Sequence, residues 1–335
     1  MIKRILYTLL IMFPVVASAQ INTDRVMAIG RNALYFEDYV LSIQYFNQVI
    51  NAKPYLSDPY FYRGLAKINL DDFQGAESDC SEAIERNPFV VSAYQVRGLA
   101  RIQQNNFAGA IEDYTKALEF DPENIGVWHN MALCRIRQED YKGAKNDLDK
   151  LIAISPRYTK AYLMRGEVDL KQKDTLAAEK DFGKAIEIDR YDADTWASRA
   201  ILRLQQQRYK DAEADFDHAI RLSTRNSGVY INRALARYHQ NNLRGAMSDY
   251  DIALDIDPNN FIGHYNRGLL RAQVGDDNRA IQDFNFVIEM EPDNMMAIFN
   301  RGLLLDQTGD YKGAIKDYST VINEYPNFLL GYQYR

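Results

Sequence analysis

The chain has 335 residues, 47% of them apolar and 26% charged, an ordinary balance for a folded protein. A formal net charge of −6 supplies no basic field for phosphate backbones, so nucleic acid is set aside as a partner. Two cysteines, Cys80 and Cys134, make no disulfide framework, and the four histidines lack a second ligand at metal spacing.

In chain order the first element is a leader. Lys3 and Arg4 precede an apolar stretch from Ile5 to Val16, and Ala17-Ser18-Ala19 follows as a small-residue cleavage site. This predicts a signal peptide over residues 1–19, with Gln20 as the first mature residue. The apolar stretch is shorter than the roughly 20 residues a spanning helix needs. The expectation is an exported chain whose mature form does not span a membrane: periplasmic, or else secreted or envelope-associated.

From Thr23 onward one period organises everything. Pro54, Pro88, Pro122, Pro156, Pro258, Pro292 and Pro326 fall on a 34-residue lattice, with Arg190 and Thr224 in the two intervening slots. Nine repeats follow without insertion: 23–56, 57–90, 91–124, 125–158, 159–192, 193–226, 227–260, 261–294 and 295–328, with 329–335 opening a tenth. Within a repeat numbered 1 to 34, position 8 is always Gly or Ala, as at Gly64, Gly98 and Ala132, and position 20 is Ala in all but the first. Aromatics stand at position 4 (Tyr60, Tyr94, Trp128), position 17 (Phe73, Phe107, Tyr141) and position 24 (Tyr114, Phe182, Phe216). Positions 17, 20, 24 and 27 step by three or four and share one helical face. Polar pairs such as Asp71-Asp72 and Asn105-Asn106 separate the two helices of a repeat, and the proline slot closes the second.

This set resembles the tetratricopeptide repeat (TPR) family: aromatic at 4, small at 8, aromatic at 17, Ala at 20, aromatic at 24, Pro at 32. The resemblance implies an all-α fold, a right-handed α-solenoid superhelix of nine helix-turn-helix repeats plus a partial tenth. It implies that the first helix of each repeat lines a concave groove holding a protein or an extended peptide. Independently of the family, a lone amphipathic hairpin cannot bury its own apolar face, whereas a stack of them can.

Where the common family pattern has leucine at position 7, seven of the nine repeats have arginine beside the small residue, Ile29 and Met131 being the exceptions, and position 23 carries aspartate in all but the first. Arg63, Arg97, Arg165, Arg199, Arg233, Arg267 and Arg301 therefore recur with Asp79, Asp113, Asp181, Asp215, Asp249, Asp283 and Asp317. A structural ladder of Arg–Asp pairs is expected, bidentate where geometry permits. The competing reading is an anion-binding strip of arginines. Met131 stands opposite Asp147 in repeat four, which leaves the register of the pairs open.

For binding, the resemblance points to the first-helix positions 2, 5, 6, 9, 12 and 13. Asn130, Asn232, Asn266 and Asn300 occupy position 6, and an amide offers both donor and acceptor to a peptide backbone. Phe61, Tyr265 and Phe299 at position 5, with a leucine-rich row at position 9, suit apolar or aromatic segments. The Lys at 5 and Asn at 9 with which some members grip a carboxy-terminal carboxylate are absent here. No phosphate loop, catalytic constellation, metal set or cofactor motif is found, so no enzyme is expected. The expected role is an exported scaffold or adaptor for a protein or peptide. Two alternatives are weighed beside it. One is a recruiting or regulatory arm of a longer protein; the other is a self-associating solenoid, since Phe328, Leu329, Leu330, Tyr332 and Tyr334 do not make a polar cap.

Overall fold

A computed structural model of the chain describes residues 22–335, and the leader expected over residues 1–19 lies outside the described residues. The described residues form helices α1 to α19 and no strands. They divide into two compact units, at Ile154 and Ser155.

The first unit holds α1 (Thr23–Tyr35), α2 (Tyr39–Ala52), α3 (Asp58–Ile68) and α4 (Phe73–Arg86). It continues with α5 (Val91–Gln103), α6 (Phe107–Phe120), α7 (Ile125–Arg137) and α8 (Tyr141–Ile154). The second unit runs through α9 (Thr159–Lys171), α10 (Thr175–Ile188), α11 (Ala193–Gln205), α12 (Tyr209–Leu222) and α13 (Ser227–His239). It is completed by α14 (Leu243–Ile256), α15 (Phe261–Gln273), α16 (Asp277–Met290), α17 (Met295–Gln307), α18 (Tyr311–Glu324) and α19 (Leu329–Tyr334). Within each unit every odd-numbered helix up to α17 packs on the helix that follows it, and that helix packs on the first helix of the next repeat.

Local sequence explains where the helices break. Position 15 is left-handed in every repeat: Glu37, Asp71, Asn105, Glu139, Lys173, Gln207 and Asn241, then Gly275 and Gly309. That residue reverses the chain. The next one caps the second helix in all repeats but those of Arg208 and Asp276: Asp72 accepts from the Gly75 amide at 2.9 Å, and Asn106 from that of Gly109 at 3.1 Å. At the far end the C-cap swings to extended or intermediate dihedrals, as at Asn87 and Asp189, and the proline slot follows.

Tertiary packing then uses the small residues. A Cβ built on Gly166 would stand 2.5 Å from Cε1 of Phe182, and one on Gly98 would stand 2.7 Å from Cε1 of Tyr114. The position-24 ring therefore lies flush against the position-8 backbone of its own repeat. Ala76, Ala110, Ala144, Ala178, Ala212, Ala246 and Ala280 are wholly buried beneath the crossing. Each buried ring contributes about 1.5–3 kcal/mol through removal of apolar surface from water. Cys80 and Cys134, in different repeats, are free and fully buried; burial pushes their thiols up to about 12 and about 11, so both act as small hydrophobes.

Candidate functional site

The arginines and aspartates meet inside each repeat, sixteen residues apart. Arg199 donates from Nε to Asp215 Oδ2 and from Nη2 to Oδ1, both at 2.8 Å. Arg165 with Asp181, and Arg301 with Asp317, repeat this fork at 2.7–2.8 Å. Arg63–Asp79, Arg97–Asp113, Arg233–Asp249 and Arg267–Asp283 are built likewise. The aspartates are buried and the arginine side chains mostly so. For Arg63, Arg97, Arg165, Arg199 and Arg233 the guanidinium also lies over the position-4 ring, as for Arg199 over Trp196 at 5.1 Å.

Two further connections had a signal in the sequence that the pairwise reading passed over. The first is a second cation at position 11, which donates to the same aspartate: Lys67 on Asp79, Arg101 on Asp113, Arg203 on Asp215, Arg237 on Asp249, Arg271 on Asp283. In repeat four this cation, Arg135, holds Asp147 at 2.7 Å where Met131 has no charge to give. The pairing thus stays within the repeat despite Met131. Burial raises the Asp147 carboxyl above its ordinary range, and Arg135 only partly offsets the shift.

The second connection joins neighbouring repeats. The position-7 Nη1 reaches back to position 25 of the preceding repeat: Arg63 to Asn47, Arg97 to Ser81, Arg233 to Asp217, Arg267 to Asp251 and Arg301 to Asn285. Arg101, Arg203 and Arg237 likewise reach Glu77, Glu179 and Glu213 of the repeat before, at 2.7–2.9 Å. Burial alone would raise Glu77, but bonds from Arg101 and Gln104 outweigh it and hold the carboxyl low. With these donors spent inside the stack, the arginines form a structural network and leave little for an anion-binding strip.

The candidate peptide residues divide differently. Asn232, Asn266 and Asn300 lie on α13, α15 and α17, three consecutive first helices of the second unit, and all are half-buried. Asn300 already donates to the Tyr265 hydroxyl at 3.2 Å, tying α17 to α15. Asn130 belongs to the first unit, where it faces the buried Tyr114 hydroxyl without reaching hydrogen-bond geometry. Around the second-unit asparagines Ile262, Leu269 and Met296 are 40–50% exposed.

The position-5 aromatics behave otherwise than the pattern suggested. Phe299 is only 6% exposed, packed by Tyr318, Phe328 and Tyr334, so it is a core ring and not a docking one. Phe61 packs on the cluster around Tyr60 and Ala83, and Tyr265 meets the edge of Phe284, each half-buried. Tyr265 and Phe299 are each met by the position-24 ring of their own repeat, Phe284 and Tyr318, which closes on them from the second helix. No group of three or more potential metal ligands occurs among the described residues.

Fold and network together define a class of protein, an all-α array of helix-turn-helix modules locked by one recurring charge cluster. Family profiles agree. One described as TPR repeat matches residues 98–134, and two described as tetratricopeptide repeat match 198–261 and 265–327, and 125–158 and 159–192. The chain belongs to the tetratricopeptide repeat family. No curated protein sequence matches it. Among solved structures, a tetratricopeptide repeat protein from Parabacteroides merdae is similar at 21% identity and a TM-score of 0.56, covering 74% of this chain and 98% of that one. The C-terminal part of a TPR repeat-containing protein from Cytophaga hutchinsonii has 17% identity and a TM-score of 0.58, covering 70% and 97%. YrrB, described as a TPR protein with an unusual peptide-binding site, has 18% identity and a TM-score of 0.50, covering 56% and 96%.

Proposed function

We propose that this chain is an exported, non-catalytic scaffold that holds an extended peptide segment of a partner protein on the first-helix face of its second unit. The observation that carries the reading is the recurrence of Asn232, Asn266 and Asn300 on consecutive first helices, flanked by exposed Ile262, Leu269 and Met296. Amides bind a peptide backbone whatever its side chains, and the apolar residues select greasy ones. The peptide-binding description of YrrB supports the reading by analogy of fold. Export rests on Lys3, Arg4, the apolar stretch after them and Ala17-Ser18-Ala19.

The test is a displayed library of linear peptides selected on the mature chain, followed by affinity measurement of the best binders. Changing Asn232, Asn266 and Asn300 together to Ala is expected to weaken binding tenfold or more, since each lost hydrogen bond costs about 0.5–1.5 kcal/mol. Unchanged affinity removes the site. A mature amino terminus at Gln20 in periplasmic extracts is the outcome expected for export. A self-associating solenoid has one observation in its favour, the exposure of Tyr311, Ile315, Leu329 and Tyr332 on α18 and α19. Light scattering of the mature chain decides it, because a monomer leaves only the peptide reading.

A further inference from the structure

The slot over the position-4 ring is filled differently from repeat to repeat, and in repeat six His218 takes it and leaves a cavity beside the ring. In repeat two the Arg86 guanidinium lies 4.1 Å from the centre of the Tyr60 ring and donates to the Pro54 carbonyl at 2.6 Å. It also pairs with Glu82. The chain's own arginine caps the ring and satisfies the carbonyl. In repeat six the residue in the Arg86 position is Leu222, and the proline slot before it holds Arg190. Trp196 serves the carbonyl instead, donating from Nε1 to the Arg190 oxygen at 3.0 Å, and His218 stacks on the indole at 4.2 Å. What remains is a cavity of about 360 Å³ lined by Arg190, Tyr191, Trp196, His218, Arg221 and Leu222.

Two features select what enters it. Arg190 and Arg221 are exposed, and neither makes an ion pair among the described residues. The acids nearest Arg190 in sequence are already engaged: Asp189 accepts from the Tyr191 amide at 2.9 Å and Asp192 from Thr195 Oγ1 at 2.6 Å. Two unspent guanidinium forks match the oxygens of a carboxylate or a phosphate. The rest of the wall, made by Tyr191, Leu222 and the stacked Trp196–His218 pair, is mostly aromatic and apolar, which suits an aromatic ring. The volume lies at the small end of ligand cavities, of order 300–1,000 Å³. We infer that this cavity binds a small anion attached to an aromatic ring, the anionic group held by Arg190 and Arg221. It shares no residue with the proposed peptide face, so either can fail without the other.

The chain has two tryptophans, so Trp128→Phe leaves Trp196 as the sole indole reporter. Phenyl phosphate and phenylacetate are titrated against its fluorescence, and isothermal titration of the unaltered chain repeats the measurement without that substitution. Saturable binding of at least one probe is expected, and the preferred probe tells a phosphate ligand from a carboxylate. Arg190→Ser with Arg221→Ala should weaken binding at least tenfold without changing the melting temperature. The inference is overturned if neither probe saturates, if neutral benzyl alcohol binds as well, or if the double variant binds like the parent.

Discussion

Asp215 shows what one buried carboxylate does here. It is 3% exposed and receives three hydrogen bonds, two from Arg199 and one from Arg203. Replacing it by leucine strands the Arg199 guanidinium and leaves Arg203 with Glu179 alone, and Asp215→Leu is expected to cost about 3–5 kcal/mol. A melting shift no larger than that of the exposed control Glu123→Gln would refute a structural role for the network. Asp147 is the counter-case, because Met131 removes one of its cations. Its folded pKa is raised, chiefly by burial, so the folded chain takes up the proton more readily than the unfolded one. The ionised form therefore costs stability above the folded pKa, and that cost disappears as pH falls through it towards the unfolded value. Asp147→Asn should accordingly raise the melting temperature at neutral pH, by a margin that shrinks steadily on acidification. A margin that grows towards acid would reverse the assignment.

A second helix is held by its neighbour as well as by its own partner. The link from position 7 back to position 25 joins one repeat to the next, and in repeat five the acceptor is missing because the residue is Gly183. A Cβ there would meet only Arg199 Nη1, at 3.9 Å, so a side chain fits. Gly183→Asn copies Asn47 and Asn285, which accept from Arg63 and Arg301. It also removes a glycine from the interior of α10. The two effects together should stabilise the second unit by about 1 kcal/mol. The turns offer a parallel case. Lys173 is left-handed at φ 63° where Gly275 and Gly309 occupy the same slot without strain. Lys173→Gly should therefore be neutral or stabilising by up to about 1 kcal/mol, and clear destabilisation in thermal melts would show that the side chain has a hidden role.

Across the molecule, modules of equal length carry similar contacts at the same positions, with exceptions such as Met131 and Gly183. An array of that kind gains stability from each repeat and from each interface between neighbours. Excising residues 227–260 should leave the second unit folded with its helix content per residue unchanged, because Phe261 arrives in the register that Ser227 vacates. Removing only 227–243 sets a second helix where a first helix belongs, and that variant should lose cooperative unfolding. Equal damage from both deletions, read by circular dichroism, would show that the repeat is not the folding unit. No helix among the described residues is long and apolar enough to cross a membrane.

The repeat length, the pair of helices in each repeat and the family were legible in the chain itself, because proline, glycine and alanine recur every 34 residues and each acts through its own backbone or its own lack of bulk. The partners of Arg199 and Asp215 could be guessed from their shared recurrence. Their register could not, since repeat four breaks the pattern and only packing shows Arg135 taking over. The cations at position 11 and the acceptors at position 25 also recur every 34 residues, yet periodicity alone does not say which side chains point at one another. Phe299 shows the limit most plainly. At position 5 it has the same place in its repeat as Tyr265, but Tyr318, Phe328 and Tyr334 close over it. Local rules set where a chain turns; whether a ring meets water or another side chain is decided by how the helices pack on one another, which only the folded stack supplies.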